Sequence, residues 1–232
     1  MRISAAVSGA LAVLLLVLVA VGWSPLLSVD REVAEALHHH AVAHPGFTHL
    51  NRILTDWVWA PWTMRALAAV AVGVLWWRRE RRLALWVAGT VLVAWGLQQG
   101  LKSAVGRPRP SWPDPVDSAR FAAFPSGHAM TAVVVCGLLL WVLALHWRET
   151  WWGWGTLTGV ALVSVVGVGW TRVYLGVHWP SDVVAGWLFG WVCVAVAIIT
   201  YRHGERRTAP GPRPRPGPPG RTDTGGRMGE TT

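Results

Sequence analysis

Charge is scarce in this chain, and cysteine scarcer. Only 14% of its 232 residues are Asp, Glu, Lys or Arg, while 53% are hydrophobic. So little charge, combined with apolar runs of membrane-spanning length, excludes an ordinary soluble domain. The two cysteines, Cys136 and Cys193, exclude a disulfide framework and offer no metal-ligand spacing. Both fall inside apolar runs and read as small core hydrophobes. Acidic residues number 12 against 21 basic ones, for a formal charge of +9. No DNA- or RNA-binding pattern accompanies that excess, so nucleic acid is not an expected partner; cytoplasmic loops and a basic tail account for it. Lysine is almost missing, Lys102 standing alone among arginines. No internal repeat is present.

Tryptophan is abundant. Eighteen are present, and several flank the apolar runs as interfacial aromatic belts do. The runs predict six spans, at residues 3–21, 57–77, 83–101, 126–147, 154–170 and 183–201. The first is long for a signal peptide and no small-x-small cleavage site follows it, so it is read as an uncleaved span. Residues 24–56 are more polar. Val33, Leu37 and Ala41 recur at helical spacing there, predicting a short surface helix over 29–43. Phe47, Leu50, Ile53, Leu54 and Trp57 predict a second helical face leading into the membrane. His38, His39, His40, His44 and His49 crowd this region. With no carboxylate or thiolate at a ligand spacing, they read as a solvated interfacial face rather than a metal site. Arg65, inside the second span, fits both snorkelling to the interface and facing the bundle interior. Arg148-Glu149 reads as a short turn. From Arg202 the composition turns to Pro, Gly and Arg, which predicts a disordered or polyproline-like tail over 202–232.

Three stretches carry chemistry. In Thr171–Asp182, Arg172, His178 and Asp182 surround Pro180, a residue suited to the first position of a helix. A carboxylate in that first turn can take the proton of one imidazole nitrogen and leave the other nitrogen's lone pair free. The same residues also fit a capping aspartate beside an interfacial histidine. Pro125-Ser126-Gly127-His128 opens another apolar run, with Ser126 as N-cap and Gly127 allowing an anion close to the backbone. Upstream, Lys102 and the Arg107-Pro108-Arg109-Pro110 run form a basic segment at the start of a long polar loop, 102–124. Loops of that length in a compact bundle are usually functional.

In order and spacing the three stretches resemble the signature of the type 2 phosphatidic acid phosphatase (PAP2) superfamily: Lys-x6-Arg-Pro, Pro-Ser-Gly-His and Ser-Arg-x5-His-x3-Asp. Here they are Lys102…Arg109-Pro110, Pro125–His128 and Arg172…His178…Asp182, within a core of about residues 50–200. Thr171 stands where the family usually has Ser. Arg107-Pro108 offers a second register two residues earlier, and the six-residue spacer selects Arg109.

The resemblance implies an all-α, integral membrane six-helix bundle over 1–201, with 202–232 as the tail. It implies a phosphatase acting on lipid phosphate monoesters or diphosphates, with no metal or other cofactor. His178 would be the nucleophile, oriented by Asp182, with His128 as general acid and base. Lys102, Arg109, Ser126, Gly127 and Arg172 would cradle the phosphate. Phosphatidic acid, phosphatidylglycerol phosphate and isoprenyl phosphates or diphosphates all fit. Transfer to an acceptor other than water, or a non-enzymatic membrane protein retaining the fold, are the alternatives. The oligomeric state is left open. Basic residues at Arg2, 78–82, Arg148 and the tail place both termini in the cytoplasm. All three motifs then fall together on the extracytoplasmic face of the plasma membrane.

Overall fold

The computed structural model describes residues 1–146 and 150–208, with side chains as far as Arg206. Regular structure among them is helical throughout: α1 (Arg2–Ala20), α2 (Ser24–Ala43), α3 (Pro45–Ile53), α4 (Pro61–Trp77), α5 (Arg81–Val105), α6 (Gly127–His146), α7 (Trp151–Tyr174) and α8 (Pro180–Thr208). A π-helical turn, Leu54–Val58, joins α3 to α4. Proline marks the starts of α2, α3 and α4 and opens α8, where its missing N–H costs nothing. Among the described residues, six helical segments are long and apolar enough to cross a membrane: α1, Pro45–Trp77, α5, α6, α7 and α8. The fold is the six-span helical bundle that the sequence predicts.

α8 is the central helix, packed mainly on α6 and α1 and also on α5 and α7. Lipid tails are as apolar as the side chains, so close packing rather than escape from water holds such helices together. Gly186 and Gly190 let α8 approach the backbone of α6. A Cβ on Gly186 would lie 2.7 Å from the Ser126 carbonyl oxygen, and one on Gly190 would lie 3.0 Å from that of Met130. Around this contact, Met130, Val134, Leu138 and Trp141 of α6 meet Ala185, Phe189, Val194 and Ile198 of α8.

The two ends of the bundle differ in chemistry. At one end Arg2 bonds His203, His146 Nε2 lies 2.6 Å from Glu80 Oε2, and the Arg82 guanidinium sits 5.1 Å above the Tyr201 ring. The opposite end gathers the C-termini of α5 and α7, the N-termini of α6 and α8, and the 106–126 loop. All three motifs lie there.

Several boundaries differ from expectation. α5 continues past residue 101 to Val105, where Gly106 takes the left-handed conformation (φ 58°) and its N–H returns to the Lys102 carbonyl. Lys102 therefore sits in the last helical turn, where the negative end of the helix favours a cation, and does not begin a loop. α7 runs to Tyr174, so Thr171 and Arg172 are helical too. α8 continues to Thr208, seven residues beyond the expected boundary of the tail. The rest of the tail, 209–232, and the Arg148-Glu149 turn lie outside the described residues.

α2 begins at Ser24, and its buried face is Asp30, Ala34, His38 and Ala41. Val33 of the expected stripe is exposed, and Leu37 is only partly buried. His38 is thus not solvated: it stacks on Trp112 at 4.3 Å and 12°. Its burial, reinforced by the neighbouring His39, lowers its pKa. His39, His40, His44 and His49 are exposed, as expected.

Candidate active site

Asp182 lies in the first turn of α8 and is fully buried. Its Oδ2 accepts the Trp179 N–H at 2.9 Å and lies 3.3 Å from His178 Nδ1. The sequence left two roles open for this carboxylate, helix cap and histidine partner, and one oxygen fills both. A carboxylate only accepts, so Nδ1 carries the proton and Nε2 presents its lone pair. That lone pair points toward Arg109, whose Nη1 lies 3.1 Å from Nε2. Burial, then the charges of Arg109, Arg172 and Lys102, hold the His178 pKa well below the ordinary histidine range.

Carbonyls fix the Arg109 guanidinium. Its Nε donates to Phe121 O at 2.9 Å, Nη2 to Arg120 O at 3.1 Å and Nη1 to Val177 O at 2.5 Å. Arg109 thus faces His178, whereas Arg107 meets Asp182 on its other side. The buried Arg107 donates to Asp182 Oδ1 and Ser181 Oγ through Nη1, both at 2.7 Å, and to Asp30 Oδ2 through Nη2, also at 2.7 Å. Asp30, on α2, accepts both the N–H (2.9 Å) and the hydroxyl (2.5 Å) of Ser181.

The remaining motif residues converge on the same place. Lys102 Nζ donates to the Ala122 carbonyl. Arg172, buried, reaches Thr55 Oγ1 at 3.3 Å and Asp117 Oδ2 at 3.9 Å, and its Nε has no partner. Ser126 precedes α6, donates its N–H to the Asp182 carbonyl at 2.9 Å and keeps a buried hydroxyl with no partner. Gly127 and His128 open α6 and line the cavity described below. The Thr171 hydroxyl bonds the Val168 carbonyl of its own helix, so the exchange of Thr for Ser does not reach the site.

A cavity of about 280 Å³ joins these groups. It is lined by Lys102, Arg109, Gly127, His128, Arg172 and His178, together with Arg65, Arg120, Gln98, Gln99, Pro61, Ala119 and Phe121. Five of these residues are cations and none is a carboxylate, so the cavity is built for an anion. Arg65, whose direction the sequence left open, faces this cavity. Among the described residues, no three His, Cys, Asp or Glu side chains gather where they could hold a metal ion.

Sequence reasoning missed Asp30 and Ser181, and weighed Arg107 only as a misregistered Arg109. Asp30 is 151 residues from Ser181 and belongs to none of the three motifs. The available signal was an acidic residue in helical register with Ala34 and Ala41.

The undecaprenyl-diphosphatase of Sulfolobus acidocaldarius is 29% identical over 153 residues, 62% of this chain and 64% of that protein. The lipid A 1-phosphatase of Rhizobium etli is 34% identical over 126 residues, 50% of this chain and 49% of that protein. The chain thus spans about half of one of these relatives and just under two thirds of the other. A crystal structure described as the first transmembrane PAP2 type phosphatidylglycerolphosphate phosphatase from Bacillus subtilis superposes with a TM-score of 0.64 at 22% identity, covering 85% of this chain and 96% of that one. Residues 83–206 match the pattern of the PAP2 superfamily. That match covers more than half of the chain and takes in every motif residue of the cavity, so the chain belongs to the PAP2 superfamily.

Proposed function

We propose that the protein is a metal-independent lipid phosphatase that hydrolyses phosphate monoesters or diphosphates through a phosphohistidine on His178. One observation carries this reading: His178 has Nδ1 held by Asp182 while Nε2 opens toward Arg109, in a cavity shared with Lys102, Arg172 and His128. The names of the relatives, phosphatases of prenyl diphosphate and lipid A, support a phosphorylated lipid as substrate.

A transferring phosphoryl group spreads charge over its equatorial oxygens, and fixed donors stabilise that charge. Lys102, Arg109 and Arg172 supply cations, and the unpartnered Ser126 hydroxyl and Arg172 Nε are free to complete the shell. His178 Nε2 attacks phosphorus and the bond to the leaving oxygen breaks, with His128 giving that oxygen its proton. Water then attacks the phosphohistidine. His128 takes the water's proton, the P–N bond breaks, and inorganic phosphate leaves. Asp182 holds the Nδ1 proton throughout. The three cations, Lys102, Arg109 and Arg172, are the anion's partners in this scheme, and no metal is invoked.

The end of the bundle that holds the cavity lies opposite the end where Arg2 meets His203 and Arg82 of the 78–82 turn packs on Tyr201. With that basic turn and both termini in the cytoplasm, the site faces the extracytoplasmic side of the plasma membrane. A lipid could then place its phosphate in the cavity while its tails stay in the bilayer. Residues 1–208 form the catalytic unit in this reading.

The test is phosphate release by purified protein in detergent. The panel is phosphatidic acid, phosphatidylglycerol phosphate, and a prenyl phosphate and diphosphate. Release from at least one, abolished by His178→Ala, is expected. Release from none would refute the phosphatase reading.

A further inference from the structure

Asp30 is buried, absent from every motif and outside the cavity lining, yet it shares Arg107 with Asp182. We propose that Asp30 is a positioning residue, which keeps Asp182 available to His178 by holding the other arm of the Arg107 guanidinium. The inference rests on His178 and Asp182 acting as the proposed function assigns them.

The geometry of the fork carries the argument. Arginine and a carboxylate prefer to meet through two parallel hydrogen bonds that occupy both oxygens. Arg107 does not meet Asp182 that way. Nη1 goes to Asp182 Oδ1 and Nη2 to Asp30 Oδ2, each at 2.7 Å. Asp182 Oδ2 is thereby left to the Trp179 N–H and to His178 Nδ1. With Asn in place of Asp30 the charge that holds Nη2 is lost, and a single amide oxygen is left for three donors, Nη2, the Ser181 hydroxyl and the Ser181 N–H. This weakens the hold on Nη2 in a buried setting, where an unmade hydrogen bond to a charged group is costly. Because Nη1 already meets Asp182 Oδ1, the bidentate alternative for Nη2 is the second oxygen of the same carboxylate, Asp182 Oδ2. A bidentate pair there would compete with His178, free the Nδ1 proton and release the ring from the tautomer that exposes Nε2.

Ser181 locks the arrangement. Its hydroxyl donates to Asp30 Oδ2 and accepts from Arg107 Nη1, and its N–H donates to Asp30 Oδ1. Each direction is forced, because a carboxylate cannot donate and a guanidinium cannot accept. Asp30 thus caps α8 from another helix and fixes the turn that carries Asp182. It contributes no atom to the cavity lining.

Epistasis separates positioning from mere support. Asp30→Asn, Asp182→Asn and the double variant are compared by phosphoenzyme formation, with vanadate binding as the measure of the intact cradle. Asp30→Asn alone should slow phosphoenzyme formation at least tenfold and leave vanadate affinity within about twofold. Added to Asp182→Asn, it should cause no further loss. Equal losses in both backgrounds, or no loss in either, would overturn the proposal. Ser181→Ala, which leaves all three charges in place, guards against a misfolded Asp30 variant; it should give a smaller loss that likewise vanishes with Asp182→Asn. Histidine ¹⁵N NMR of His178 needs no turnover. It should report the Nδ1–H tautomer in the unmodified protein and a mixture in Asp30→Asn. If no lipid is hydrolysed yet the tautomer shifts, the phosphatase reading fails and the positioning role stands. An unshifted tautomer in Asp30→Asn refutes the positioning role whether or not the protein is active.

Discussion

Replacing Gly186 by alanine should damage stability and catalysis together, by amounts the structure sets. The added Cβ would lie 2.7 Å from the Ser126 carbonyl oxygen and 3.1 Å from both Ala129 Cβ and Met130 N. The first of these falls about 0.7 Å short of ordinary contact. The clashing atoms are mostly backbone at the start of α6, so they cannot rotate away; α8 must move off α6. Overpacking of this kind costs about 1–3 kcal/mol. The same movement separates Asp182 and His178, at the head of α8, from Ser126, Gly127 and His128, at the head of α6. A displacement of about 1 Å in a catalytic constellation can cost on the order of 100-fold in rate. The assay is the melting midpoint in detergent together with phosphate release on the best lipid of the panel. Gly155→Ala on α7 is the control, since nothing lies within 4 Å of its Cβ. It should be neutral, or stabilising by up to about 1 kcal/mol through helix propensity. If Gly186→Ala melts and turns over like the control, the close α6–α8 approach does not hold the site together.

Three further outcomes are expected. With Cys136 and Cys193 replaced, a cysteine at exposed Pro115 should react with a membrane-impermeant reagent on intact cells while one at exposed Arg78 should not; the reverse pattern would place the site in the cytoplasm. Because the folded protein keeps His178 neutral well below the ordinary value of about 6.5, the unfolded chain binds its proton first as pH falls, and stability declines below that pH by at most about 1.4 kcal/mol per unit. His178→Gln should flatten that acid-side decline, and an unchanged slope of unfolding midpoint against pH between about 6.5 and 5 would contradict the cause assigned to the shift. Activity should survive thorough chelation and be inhibited by vanadate; loss on chelation with recovery on adding one divalent ion would show that the cations of the cavity are not sufficient.

The spans and the eight motif residues were legible because both signals are local. Apolar runs reveal spans, and fixed spacings pick out Lys102, Arg109, Ser126, Gly127, His128, Arg172, His178 and Asp182. Helix ends themselves were less legible, since a helix can continue into polar residues once a tertiary partner satisfies them. Arg172 extends α7 beyond its apolar run because Thr55 and Asp117 receive its charge. Asp30 was invisible for a related reason: its partners, Arg107 and Ser181, are brought to it only by the fold. The buried face of α2 was misjudged because His38 looks polar in sequence, whereas its ring is covered by Trp112 from a distant loop.

The central claim is that His178 becomes phosphorylated, and trapping that species tests it most directly. The unmodified protein, His178→Ala and His128→Ala are each mixed with a labelled phosphate ester of a good leaving group, such as a nitrophenyl ester, and quenched in base. His178→Ala should trap nothing. His128→Ala should accumulate a base-stable, acid-labile phosphoenzyme, because the good leaving group needs little protonation whereas breakdown needs water activated by His128. Labelled phosphate trapped on His178→Ala and absent from His128→Ala would reverse the two roles, and equal trapping on both would place the nucleophile elsewhere.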